Sequence, residues 1–176
     1  SRRRRRPTLK PPYLHFSAMS DATTTPVTAE TLLSIVSGEQ VAETLRLAGY
    51  RASHGEQDGR FLIQSAAQGL GFIVSGGNSA GEVAADRYVD FSFSCLIQVE
   101  GDFPDARIAA WNEGKRFGRL FRRGPLLVLS QDVIVAGGVS PRYLLGQCEL
   151  WDRLLHDFVA FLRQPPADAA PVTGTP

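Results

Sequence analysis

Between Arg87 and Glu100 the chain alternates in character. Val89, Phe91, Phe93, Cys95, Ile97 and Val99 are apolar, and Asp90, Ser92, Ser94, Gln98 and Glu100 between them are polar, with Tyr88 and Leu96 the two exceptions. Side chains of a strand point alternately to its two faces, so a period of two this long specifies one buried and one wetter face. Parallel sheets bury both faces and read as continuous apolar runs; alternation instead predicts an antiparallel sheet covered on one side.

The remaining segments fit around that strand. Two short helices are expected first. One spans Thr28–Val36; the other begins at Ser37, whose spacing to Gln40 is that of a capping box, and ends at Gly49. RASHGEQDG is polar and reads as a connector. Strands are expected at 60–66 and 70–75, with Gln68-Gly69 turning a hairpin between them, and a glycine-containing loop follows over 75–82. Pro104 opens a helix to about Arg116 that places Ile108 and Trp111 on one side. Strands follow at 118–122 and 126–136, the second ended by Gly137-Gly138. Ser140 is a good N-cap and Pro141 suits the first helical position. In the closing helix Leu144, Cys148, Trp151, Leu155, Phe158 and Leu162 recur at steps of four and three, an amphipathic stripe. The predicted order is α-β-β-β-α-β-β-α, an α+β fold with an antiparallel sheet and helices packed on one face.

The net charge of +1 conceals a division. Residues 1–18 carry Arg2 to Arg6 and Lys10 and no acid; the 13 basic and 18 acidic residues that follow leave 19–176 mildly acidic. The basic segment has no periodicity and several prolines, so 1–27 is expected to be a disordered tail, with the natural start at Met19, the only methionine. The folded unit is expected over 28–163 and a Pro/Ala/Thr-rich tail over 164–176. No apolar run reaches the roughly 20 residues of a membrane-spanning helix. Two cysteines far apart in sequence form neither a disulfide framework nor a zinc cluster, which favours a reducing, cytoplasmic location.

Catalytic signatures are missing. The 75–82 loop lacks the Lys-Ser/Thr of a phosphate-binding loop, no G-x-S-x-G occurs, and His54 and His156 are isolated in sequence. Neither a cofactor nor a metal is expected, and Cys95 and Cys148 read as small buried hydrophobes. Asp132 interrupts an apolar strand and needs a partner, for which Arg116 or Arg119 is the expected candidate. Asn112 beside Trp111 either recognises a partner or braces a nearby turn while Trp111 packs in the core. Lys115, Arg116, Arg119, Arg122 and Arg123 form a basic run, either a solvated surface or a patch for an acidic partner or nucleic acid; Phe117 and Phe121 within it are expected to point inward.

WNEGKRFGRLF, LSQDVIVAGGVS and the Leu/Trp/Phe-rich closing helix together resemble the YbjN family of bacterial sensory transduction regulators. Trp111-Asn112, Arg116-Phe117, Asp132 and Gly137-Gly138-Val139-Ser140 carry the likeness, and LRLAGYRA onward fits more loosely. The 75–82 loop departs from relatives that carry a cysteine there. The resemblance implies a fold like that of type III secretion chaperones, small acidic α/β proteins, often dimeric, that hold other polypeptides. The expectation is a non-enzymatic, chaperone-like or regulatory domain that binds proteins and forms a homodimer. The alternative is a nucleic-acid-binding or stress-response accessory protein acting through 115–123, although an acidic body does not attract nucleic acid over its whole surface. The residues expected to matter are Trp111, Asn112, Arg116, Phe117, Arg119, Asp132, Gly137, Gly138 and Ser140.

Overall fold

The computed structural model describes residues 31–165. The basic segment, the expected start at Met19, residues 28–30 of the first expected helix, and the C-terminal stretch from 166 lie outside the described residues.

The first expected helix is absent over 31–36. Leu33 instead bridges Val139, and β1 (Val36–Ser37) pairs with β5 (Arg87–Tyr88). The capping box then works as its spacing requires. Ser37 Oγ accepts from Gln40 N at 3.2 Å, Gln40 Oε1 accepts from Ser37 N at 2.9 Å, and α1 (Gly38–Leu47) follows.

The connector is a strand. β2 (Ser53–Gln57) pairs with β3 (Arg60–Ala67), and β3 pairs with β4 (Leu70–Gly76). Both hairpins turn on two positive-φ residues, Asp58-Gly59 (52°, 74°) and Gln68-Gly69 (54°, 78°). That is the two-residue turn whose twist matches antiparallel strands. β6 (Asp90–Gln98) follows β5, then α2 (Asp105–Gly114), β7 (Arg119–Arg123), β8 (Leu126–Ile134) and α3 (Pro141–Arg163). The six long strands form one antiparallel sheet in the order β2-β3-β4-β6-β8-β7.

One face of the sheet is covered. Phe61, Ile63, Phe72, Val74, Phe91, Phe93, Cys95, Leu127, Leu129 and Val133 meet Trp151, Leu155 and Phe158 from α3 and Val41 and Leu45 from α1 in a single core. Trp151 is completely buried, stacked on Phe93 and edge-on to Phe72. Tyr88, expected on the outer face, is buried instead, with its ring edge-on to Phe61 and its hydroxyl donating to Gly59 O.

Candidate functional site

Six of the residues singled out in sequence lie around β7 and β8, and Gly137, Gly138 and Ser140 lie in the turn from β8 to α3. Trp111 is buried; its ring meets Phe158 and Phe161 edge-on, and Nε1 donates to Gly118 O at 3.0 Å. Asn112 braces a strand. Nδ2 donates to Leu120 O at 2.8 Å and Oδ1 accepts from Leu120 N at 2.9 Å. The side chain therefore pairs the outer edge of β7 as a neighbouring strand would. Gly118 lies so close to α3 that a Cβ there would stand 2.9 Å from Leu154 Cδ2.

Between Trp111-Asn112 and β7 the chain turns at Phe117, whose φ is +71°. A bulky residue in the left-handed region costs roughly 1–3 kcal/mol. Its ring is 62 % exposed and lies under the Arg116 guanidinium at 4.7 Å, so the expectation that it points inward is corrected. The turn ends β7 at Arg119, opposite Ser130, whereas β8 continues to Ile134 with β6 alone as its partner. Because Asn112 takes the N–H and C=O of Leu120, those groups point away from β8, and bonding to β8 falls on the alternate residues. The same alternation along β8 directs the amides of Asp132 and Ile134 outward, onto a free edge where Ile134 is 64 % exposed. Beside this edge lies a groove of about 490 Å³ lined by Phe117, Arg119, Asp132, Tyr143, Gln147 and Leu150 among others. At its floor Gln131 is buried; Nε2 donates to Gln147 Oε1 at 3.0 Å, while Oε1 has no partner among the described residues.

The open face of the sheet is ordered in cross-strand rows. Phe121, Val128 and Leu96 form one; Arg119, Ser130, Ser94 and Ile73 form the next; Asp132, Ser92 and Ser75 form the third. Asp132 does not pair with Arg116 or Arg119. Ser92 Oγ donates to it at 2.6 Å, because Ser92 is its register partner on β6. The arginines stack instead: Arg119 and Arg123 each lie over the Phe121 ring, at 5.1 and 5.9 Å. Phe121 belongs to this open face and not to the core, a second correction. Of the basic run, Lys115 reaches Asp157 at 2.6 Å, and Arg122 donates to Phe103 O with Asp102 at 3.9 Å. Among the described residues, Arg116, Arg119 and Arg123 have no carboxylate within 4.0 Å. A depression of about 270 Å³ lies on this face between β4, β6, β8 and β7.

Gly137 and Gly138 both hold positive φ, 87° and 97°, in the turn from β8 to α3. Ser140 caps α3 by accepting from Tyr143 N at 3.1 Å.

One constellation was not foreseen. His54 Nδ1 meets Glu39 Oε2 at 3.1 Å, and Glu39 Oε1 accepts from Arg46 at 2.8 Å. The Arg46 and His54 contacts hold the Glu39 carboxyl below its usual range. The contact joins β2 to α1 and depends on the hairpin that the polar connector concealed. Cys95 and Cys148 are both free and buried. Burial pushes the Cys95 thiol up to about 11, and burial with the Glu149 charge pushes Cys148 to about 12. Thiols with such values are protonated at neutral pH and make poor nucleophiles. No group of three or more His, Cys, Asp or Glu suited to a metal ion occurs among the described residues.

The family model of YbjN, described as "Putative bacterial sensory transduction regulator", matches residues 37–164. The chain belongs to the YbjN family. The match spans the YbjN domain from Ser37, the cap of α1, to Gln164, the C-cap of α3, and takes in the whole six-stranded sheet. No curated protein and no solved structure gives a significant match to the chain. Among the described residues, no helix of the YbjN domain is long and apolar enough to cross a membrane.

Proposed function

We propose that this domain is a non-enzymatic, chaperone-like or regulatory module that works by binding other proteins, in the cytoplasm and as a homodimer. The observation that carries the reading is a sheet that, among the described residues, has helices on one side only. Its other face and the free edge of β8 present Leu96, Phe117 and Ile134 to solvent. Exposed apolar groups beside unpaired strand edges are the features through which sheets take on partners. Membership of a family of regulators supports the same reading.

For the homodimer we propose the opposite edge of the sheet. β2 is exposed along its whole length and, among the described residues, pairs with β3 alone, so two copies of Ser53–Gln57 can meet antiparallel across a two-fold axis. Sedimentation equilibrium at tens of micromolar tests this; a clean monomer removes the dimer. Affinity capture on the tagged full chain, with salt-washed partners identified by mass spectrometry, tests protein binding itself. A small reproducible set of proteins is the expected result. Recovery of nucleic acid alone, lost on nuclease treatment and on Arg116→Glu with Arg119→Glu and Arg123→Glu, would instead favour the second reading, which rests on the arginines at 116, 119 and 123, without a carboxylate within 4.0 Å among the described residues.

A further inference from the structure

Residues 115–123 hold five of the 13 cations in 31–165 and no acid; the rest of 31–165 carries eight cations against 15 acids. Lys115 and Arg122 are paired within the fold, but Arg119 and Arg123 stand on the open face with an aromatic ring between them and, among the described residues, no carboxylate within 4.0 Å. Phe121, Val128, Leu96 and Ile73 line the depression beside them. Its volume of about 270 Å³ is below that of a metabolite pocket and suits a single large side chain. At the far end Asp132, held by Ser92, makes the face negative.

We infer that the β7 side of the open sheet face docks an acidic segment of a protein partner, one apolar side chain seated in the depression and its carboxylates on Arg119 and Arg123. This deepens the protein-binding reading and rests on it. Charge selects the occupant. A second copy docked two-fold about this strip would set Arg119 and Arg123 against their own counterparts, whereas an acidic segment neutralises both. The Asp132 pole repels acid, so the segment's charge must lie toward β7. Arginine beside aromatic residues around a small apolar socket is also the make-up of interface hot spots.

The test uses the full chain and a labelled peptide of about twelve residues with Glu and Leu at helical spacing. Because the arginine-rich segment at 2–6 also attracts acid, amide chemical shifts locate the binding. The expected result is perturbation at 119–123 and 128–130, with affinity lowered about tenfold by Arg119→Glu and Arg123→Glu together. Arg51→Glu, half that change of charge placed near β2, is expected to leave affinity within about twofold. Leu96→Glu is expected to weaken binding, and replacing Glu by Lys in the peptide to abolish it. If the arginine variant lowers thermal stability, Arg119→Gln with Arg123→Gln replaces it, and a loss of about threefold supports the site. No shift at 119–123 and 128–130, equal loss with Arg51→Glu, displacement of the peptide by oligo(dT) from the same residues, or this face paired to its own copy would each overturn the inference. If captured partners persist in the arginine variant while the peptide leaves these residues unshifted, this site falls and the protein-binding reading stands.

Discussion

At the scale of single residues, the family-motif positions divide into those that build the β7–β8 end and those that it presents. Trp111 and Asn112 build: one fills the core and donates to Gly118 O, the other closes the edge of β7. Asn112→Ala leaves the Leu120 N–H and C=O without their partners, and the expected cost is about 1–2 kcal/mol, since the site is partly open to water. Asn112→Asp keeps the acceptor and loses the donor, and is expected to fall between Ala and wild type. Urea unfolding measures both; an alanine variant as stable as wild type would mean that α2 alone holds β7. The thiols make a second prediction. Their pKa values are raised in the fold, so the stabilising balance is complete below the ordinary thiol value of 9.0 and is lost as pH rises toward about 11 for Cys95 and about 12 for Cys148. Stability should fall by about 2 kcal/mol per thiol between pH 9 and 11. The Cys95→Ala, Cys148→Ala double variant starts lower, because it loses packing, and should show a shallower slope over that range. An unchanged slope would place the alkaline sensitivity elsewhere.

Among the elements, what could be read in sequence was whatever buries a face. The alternation at 89–97 is visible because Phe91, Phe93 and Cys95 enter the core while Ser92 and Ser94 face out. The stripe of α3 is visible for the same reason, and Ser37 and Ser140 cap as their spacing requires. β2 was hidden because all five of its residues are exposed, so nothing apolar marks it. Its one signal was Asp58-Gly59, a hairpin dipeptide that the polar surroundings masked. The helix expected at 28–36 failed because its leucines face other tasks: Leu33 bridges Val139, and Val36 is buried on a two-residue strand. The outward turn of Phe117 had no local signal, since nothing but glycine advertises positive φ. Within α3, Trp151 offers a test of packing against polarity. Its Nε1 is buried with no partner among the described residues, so Trp151→Phe removes volume together with an unsatisfied donor. We expect a cost of about 1 kcal/mol for Phe and about 3–5 kcal/mol for Ala. Equal costs would mean that the indole nitrogen is satisfied in solution.

For the molecule as a whole, the sheet divides the domain into a sealed half and an open half. Both helix-side cysteines, both tryptophans and most of the aromatic contacts lie in the sealed half. The open half holds the arginine–phenylalanine strip, the serine rows and the free edge of β8. Sealing both faces would have needed apolar residues at Ser75, Ser92, Ser94 and Ser130; with hydroxyls there, the face stays soluble without a partner and still accepts one. The unequal charge of the domain, with a carboxylate-free basic strip on an otherwise acidic body, gives that partner a sign and an orientation. We propose that function lies in protein contacts made by the open half. The most direct measurement is hydrogen exchange across the full chain, alone and bound to the partner most strongly retained in affinity capture. Slowed exchange is expected on β7, the free edge of β8 and the open-face rows, with α1 and α3 unchanged. Protection confined to the exposed surfaces of α1 and α3, with the sheet unchanged, would contradict it.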